Sequence, residues 1–308
     1  MINLNIELPD GFLEEEELSG YLVTSDMKEI WAVELDLLAE FDRVCKKYGI
    51  TYFADAGTML GAIRHQGFIP WDDDIDVTLS RDSYNKLCEV ASREFTGDYF
   101  FQTEYTDKGS LRGHAQLRNS ATTGILKSEL GQYSFNQGIF IDIFPYDVVT
   151  DDREKFEKQK REAEHLKKKF KRRAKFTDFY SNMSFEFPKN IVAPIVHWYY
   201  EKFTKKDYDD DYKKFEAVCA QYNNEQSEKI SLLSFSFDDI HFQTRSDYEE
   251  VEYVPFEFMT IPVPKGYHHA LTERFGDYNI FVKGGSYHGG VIFDTDRSYI
   301  DYLENYNK

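Results

Sequence analysis

The chain has 308 residues, long for one compact domain and short for three, so one large or two modest domains are expected. Hydrophobic residues make up 41% and aromatics 17%, which supplies core material and excludes a disordered chain. Acids outnumber bases 55 to 37, a net charge of −18; this excludes a general nucleic-acid coat, because counterion release needs a basic surface.

Cys45, Cys88 and Cys219 are odd in number and form no CxxC pair, which argues against a zinc site or a disulfide framework and for a reducing compartment. Residues 1–19 carry Asp10 and the acidic run 14–17 where a secretory leader needs a basic start and an apolar centre. The longest near-apolar stretch, 191–200, is too short to span a bilayer and includes a proline and a histidine. A cytoplasmic protein is expected, at most peripheral to the inner face of a membrane.

Residues 1–25 read as an N-terminal extension. From Met27 to Lys47, Ile30, Trp31, Leu35, Leu38, Phe41, Val44 and Cys45 recur in steps of three and four, predicting an amphipathic helix that Gly49 ends. Residues 50–54 read as a short strand, and Gly57-Thr58 opens a brief helix broken by Gly67 and Pro70. Ile75, Val77 and Leu79 alternate with Asp74, Asp76 and Thr78, the pattern of a half-buried strand. Asp82 is expected to cap a helix running to about Phe95, and 99–103, 114–118 and 138–144 are further strands. This order predicts an α/β (α+β) catalytic core over 26–149, a mixed sheet flanked by helices.

Composition then shifts. Arg153 to Lys175 holds twelve Lys or Arg against four Glu, yet Phe156, Ala163, Leu166, Phe170 and Ala174 keep helical spacing, so a basic helix with one buried stripe is expected. A second helical zone covers about 190–222, interrupted at Pro194. Residues 150–250 are therefore expected to form a helical elaboration. Residues 251–308, with a strand, a helix over 267–275 and loops, are expected to pack back on the core.

The sharpest local feature is Pro70-Trp71-Asp72-Asp73-Asp74-Ile75-Asp76-Val77. In an extended segment Asp72, Asp74 and Asp76 project to one side, and carboxylates packed this closely repel unless a hard divalent cation collects them. The alternative is a solvated acidic turn. An EF-hand loop fails, since Val77 stands where glycine is required and Ser83 where a bidentate Glu is required. Asp142 lies in the apolar run Gly138-Ile139-Phe140-Ile141-Asp142-Ile143-Phe144-Pro145. It is either paired with an arginine or a cap, or the third carboxylate of a two-cation clamp for phosphoryl transfer. Upstream, Asp55-Ala56-Gly57-Thr58 places backbone N–H groups where a strand enters a helix, a position suited to phosphate.

Together these residues resemble the LicD family of the nucleotidyltransferase superfold, which includes bacterial phosphocholine transferases and relatives of fukutin-related protein. The matching stretches are Gly57 to His65, Gly67 to Asp76 and Ile141 to Pro145, with Ile261-Pro262-Val263-Pro264 and Phe275-Gly276-Asp277-Tyr278 resembling the family's C-terminal segment. The resemblance covers about 26–145 and 255–280; nothing between 150 and 250 is recognised. It implies metal-dependent transfer of a phosphate-bearing group, most often phosphocholine, from a CDP-linked alcohol to a hydroxyl of a glycan or lipid-linked glycan, with release of CMP. Carried over by position, Asp74 and Asp76 hold Mg²⁺ or Mn²⁺, Asp142 completes the clamp or accepts the acceptor's proton, and Gly57-Thr58 lie against donor phosphate. Asp55 departs from the family pattern, which more often has a neutral residue there.

Other residues keep two readings. Arg64 and His65 contact donor phosphate or Asp72, or are cations at a helix end. Arg118 offers phosphate a planar fork, or is a surface arginine at a strand edge. Trp71 packs beside the loop or stacks on a base. The basic helix recruits a polyanionic acceptor or an anionic membrane surface, or is a solvated face. His268, His269 and His288 are too isolated to claim a metal. Gly284-Gly285 with Gly289-Gly290 is a flexible loop without the dinucleotide-binding pattern. Rival functions are nucleotidyl transfer by the same carboxylates, and a non-catalytic scaffold, whose mark would be loss of one of Asp74, Asp76 and Asp142.

Overall fold

The computed structural model describes residues 4–177, 191–192, 195, 198–199, 208–282 and 290–306. Pro194, His288 and the glycines Gly284, Gly285 and Gly289 lie outside them. Helix α1 spans Ser25–Tyr48: Thr24 caps it by accepting the Met27 N–H at 3.3 Å, and Gly49, at φ 58°, ends it by donating to the Cys45 and Lys46 carbonyls. The spacing predicts one buried stripe, whereas residues 30–38 are all buried. The N-terminal residues cover the outer side. Strands β1 (Glu16–Leu18) and β2 (Tyr21–Val23) form a hairpin, Lys28 of α1 pairs with Glu16 at 2.9 Å, and the Asn5 and Ile6 N–H groups donate to Asp36 at 2.7 and 3.1 Å.

After β3 (Phe53–Ala54) and α2 (Ala56–His65), the chain forms β4 (Asp76–Ser80), α3 (Arg81–Glu94), β5 (Tyr99–Gln102), β6 (Ala115–Asn119), β7 (Thr123–Leu126) and β8 (Ile139–Val148). The fold is mixed α/β. Its sheet runs β5–β6–β8–β4–β3, with β4 and β8 parallel and the other neighbours antiparallel, and β9 (Lys229–Ser231) and β10 (Gln243–Thr244) continue from the far end of β8. Asp82 is not the cap of α3. Strand β4 runs into the helix without a linker, so its last residue, Ser80, accepts the Ser83 N–H at 3.3 Å, and Asp82 sits in the first turn, where the helix dipole favours it.

Alternation divides the sheet's two faces. Ile139, Ile141 and Ile143 of β8, Val77 and Leu79 of β4 and Leu117 of β6 enter the main core with Trp31, Leu35 and Leu38 of α1. Asp142, Asp76 and Gln116 therefore occupy the opposite face. Phe256, Ile261, Val263 and Leu271 join the same core from β11 (Val251–Phe256), β12 (Met259–Pro264) and α6 (Tyr267–Phe275).

A second core joins the basic helix α4 (Arg153–Thr177) to α5 (Asp209–Cys219): Ala163, Leu166 and Phe170 meet Tyr212, Phe215 and Cys219. The stripe expected for α4 is thus buried at these positions. Strand β13 (Val291–Asp294) pairs with β7, and α7 (Tyr299–Tyr306) follows. Among the described residues, no helix is long and apolar enough to cross a membrane.

Candidate active site

Register places the acids. Asp76 opens β4 and is the direct parallel partner of Asp142 on β8, so two carboxylates stand side by side on one face. On the other flank of β8, Gln116 is the partner of Asp142, and Gln102 the partner of Gln116. The row Gln102–Gln116–Asp142–Asp76 therefore crosses four strands.

Asp142 is buried and held by neighbours rather than by an arginine or a cap. Its Oδ1 accepts the Gln116 Nε2 at 2.7 Å and lies 2.9 Å from the His114 Nε2. Burial pushes its carboxyl upward, but His114, Arg112 and the Gln116 hydrogen bond outweigh that and hold it below the usual carboxylate range. Asp76 is driven the other way. Partly accessible but surrounded by protein, it is pushed well above its ordinary value by desolvation, then by Asp74, Asp142, Asp55 and Asp72. The site thus pairs one carboxylate kept ionised with one whose charge is opposed by its surroundings.

The loop before β4 adds three acids: one carboxylate oxygen from each of Asp72, Asp73 and Asp74 lies within 4.8 Å of the others. The Asp72 carbonyl accepts the Trp31 indole N–H at 2.9 Å, and Trp71 packs against Tyr21 with ring centroids 5.9 Å apart.

Helix α2 abuts this loop. Thr58 Oγ1 accepts the Asp76 N–H at 2.8 Å, so its hydroxyl fixes the first residue of β4. At Gly57 the loop approaches the helix closely; a Cβ there would lie 2.7 Å from Asp72 Oδ2. Ala56 holds φ 46°, a left-handed conformation that costs an L-residue about 1–2 kcal/mol, at the point where chain enters helix. Asp55 is buried, accepting from Arg274 at 3.3 Å and Gln243 at 3.2 Å, so the departure from the family pattern has its own cation from α6.

Arg64 and His65 end α2. Arg64 Nη1 donates to the Tyr278 carbonyl at 2.9 Å, and the guanidinium lies 4.8 Å from the Phe281 ring, which ties α2 to the C-terminal segment. Its Nε donates to His65 Nε2 at 3.0 Å, so that ring nitrogen carries no proton. Burial, then the charge of Arg64, lowers the His65 pKa from 6.5 to about 4. Because the folded value is the lower one, the neutral ring's contribution to stability is complete above 6.5 and is lost as pH falls from there toward 4. A His65→Gln variant is expected to lose less stability than the wild type between those values. Parallel urea-midpoint curves would show that His65 does not carry this dependence.

Arg118 is not at a surface edge. It is 1% exposed, donating to Gln102 Oε1 at 2.7 Å, to the Gly138 carbonyl at 2.7 Å and to Gln116 Oε1. Burial, then repulsion from Arg112, lowers its pKa to about 9. It orients Gln116, which in turn donates to Asp142. His114 and Gln116 are the partners that sequence reasoning did not single out; the signal was present as alternation in His114-Ala115-Gln116-Leu117-Arg118. His269 pairs with Asp247 at 2.7 Å and groups with Glu273, so it is less isolated in space than in sequence, and His268 pairs with Tyr278 at 2.7 Å.

An oxygen-only donor set, dense in like charge, suits a hard divalent cation, and the buried Glu34 Oε2, which receives no hydrogen bond among the described residues, is consistent with one nearby. Comparison with known proteins bears on the family alone. The model of the family described as LicD/FKTN/FKRP, nucleotidyltransferase domain, matches residues 49–206. Lipopolysaccharide cholinephosphotransferase LicD of Haemophilus influenzae is 29% identical over 261 residues, covering 82% of this chain and 91% of that protein. The uncharacterized protein RP689 of Rickettsia prowazekii is 34% identical over 79 residues, 25% of this chain and 28% of its own.

Proposed function

This chain belongs to the LicD/FKTN/FKRP family of nucleotidyltransferase domains, and on that premise we propose that it transfers a phospho-alcohol group, phosphocholine first among candidates, from a CDP-linked donor to a glycan hydroxyl, releasing CMP. The carrying observation is the direct pairing of Asp76 with Asp142 beside the acidic loop. The relative named as a lipopolysaccharide cholinephosphotransferase supports both the cargo and a glycan-bearing acceptor.

Asp74, Asp76 and Asp142 would hold Mg²⁺ or Mn²⁺, which when bound neutralises the pyrophosphate and favours departure of CMP. The chain's own residues do the rest. Asp142, kept ionised by His114 and Gln116, completes the clamp and orients the incoming hydroxyl. Gln116 is locked by Arg118, so Asp142 presents a fixed oxygen. Thr58 holds the start of β4, and Gly57 leaves room for Asp72 beside the N-terminus of α2, where backbone N–H groups favour phosphate. The basic face of α4 is the region of this acidic chain suited to a polyanionic acceptor or an anionic membrane surface.

The test is product mass after incubation with CDP-choline, Mg²⁺ and a lipopolysaccharide-type acceptor. Release of CMP with an acceptor heavier by phosphocholine is expected. An acceptor heavier by a nucleoside monophosphate would replace the proposal with nucleotidyl transfer, and intact donor across all CDP-alcohols would overturn it.

A further inference from the structure

The side of the sheet away from the acids holds a cavity that the transfer reading does not use. It measures about 400 Å³, within the range of small-molecule sites, roughly 300–1,000 Å³. Helix α3 walls it with Tyr84, β5 and the turn after it with Phe101, Glu104 and Tyr105, and α5 with Tyr212 and Glu216, so it lies between the two hydrophobic cores. Register fixes its face: Phe101 pairs with Leu117 on the α1 side, whereas the next residue, Gln102, belongs to the acidic row. Tyr105, 47% exposed, forms the rim. The cavity's charge is one-sided. Arg81 also lines it, but its guanidinium is engaged by Asp147, Nε donating to Oδ1 at 2.9 Å. Glu104, 2% exposed, accepts only from neutral donors: the Gly109 and Leu111 N–H groups at 2.9 and 2.8 Å, the Tyr208 hydroxyl at 2.5 Å and the Ser110 hydroxyl at 3.4 Å. Glu216 is half-buried and accepts from the Tyr105 hydroxyl. Burial raises both carboxyls above the usual carboxylate range.

We propose that this cavity binds a small organic ammonium ion, with Glu216 as its counter-charge and Tyr84, Tyr105, Tyr212 and Phe101 as its aromatic walls. An anion is disfavoured, because the cation lining the cavity is already committed to Asp147 and both carboxyls repel it. A hard metal ion, which needs about six oxygens, meets mostly ring carbon here. Aromatic faces attract an ammonium and also contact its carbon substituents, and the protein wall strengthens its pairing with Glu216. The rim already shows this preference: the Lys213 ammonium lies 6.0 Å from the centre of the Tyr105 ring. Because the cavity and the acidic row occupy opposite faces of the sheet, such an ion binds without displacing a donor from the row. The inference stands independently of the transfer reading.

The experiment is calorimetric titration of the full chain with tetramethylammonium chloride and with butylammonium chloride, against sodium chloride and butan-1-ol as blanks. Saturable binding of one ion per chain is expected for at least one of the two cations, with affinity unchanged in Asp76→Asn. Glu216→Gln, which keeps shape and removes charge, should bind roughly tenfold or more weakly. Binding of neither cation overturns the proposal, and so does equal binding of butan-1-ol, which marks an apolar cavity only. An unchanged isotherm in Glu216→Gln, or a loss of binding in Asp76→Asn, assigns the ion elsewhere and is equally fatal. If circular dichroism shows that Glu216→Gln has not folded, Tyr105→Leu at the exposed rim replaces it, and an unchanged isotherm there overturns the proposal too.

Discussion

Asp76→Asn and Asp142→Asn are each expected to reduce CMP release by about a thousandfold or more, since cation-assisted charge stabilisation is worth several kcal/mol. The two variants should differ in stability. Asp76 is a carboxylate whose charge is opposed by Asp74 and Asp142, so Asp76→Asn removes repulsion and should raise the unfolding midpoint of the metal-free protein. Asp142 is an ionised group with engaged partners, so Asp142→Asn loses favourable interactions with His114 and Gln116 and should lower it. Turnover and thermal midpoint measured on the same preparations check both statements. Full activity in either variant removes that residue from the catalytic assignment, and midpoints moving in the same direction contradict the division of roles.

Breaking the Arg81–Asp147 pair should cost the most stability of any single polar change. Arg81 follows β4, Asp147 lies near the end of β8, and both are buried. Arg81 Nε donates to Oδ1 at 2.9 Å and Nη2 to Oδ2 at 2.5 Å, and Asn223 donates to the same Oδ1 at 2.8 Å. Asp147→Ala leaves a buried guanidinium without its counter-charge, which costs about 3–5 kcal/mol. The double variant Arg81→Met/Asp147→Leu should recover much of that, because neither charge then needs a partner. Urea unfolding of the single and double variants decides it; a single-variant loss below about 1 kcal/mol would mean that the pair is relaxed by water.

The acids proposed for catalysis were legible because their signals are local. Asp72 to Asp76 is one contiguous motif, and Asp142 is conspicuous as a lone acid between isoleucines. Helix α1 follows from spacing, and its stop from Gly49, which takes the left-handed backbone. What holds Asp142 was not legible, since Gln116 meets it only through the antiparallel register of β6 and β8. That Arg118 is buried was not legible for the same reason: whether a five-residue strand lies inside a sheet depends on strands far along the chain. Asp36 is hidden differently. A carboxylate on the polar side of a helix reads as solvated until the N-terminal Asn5 and Ile6 are seen to donate to it. Strands β7 and β13 are four residues each and pair across more than half the chain, beyond the reach of any local pattern.

The parallel partnership of β4 and β8 joins opposite electrostatic situations within a few residues. At one end acid faces acid; just past the other, acid grips base. The gripping end acts as a latch, so the two strands cannot slide apart to ease the crowding of charge at the mouth. The crowded carboxylates are thus held in register by a pair that lies outside them.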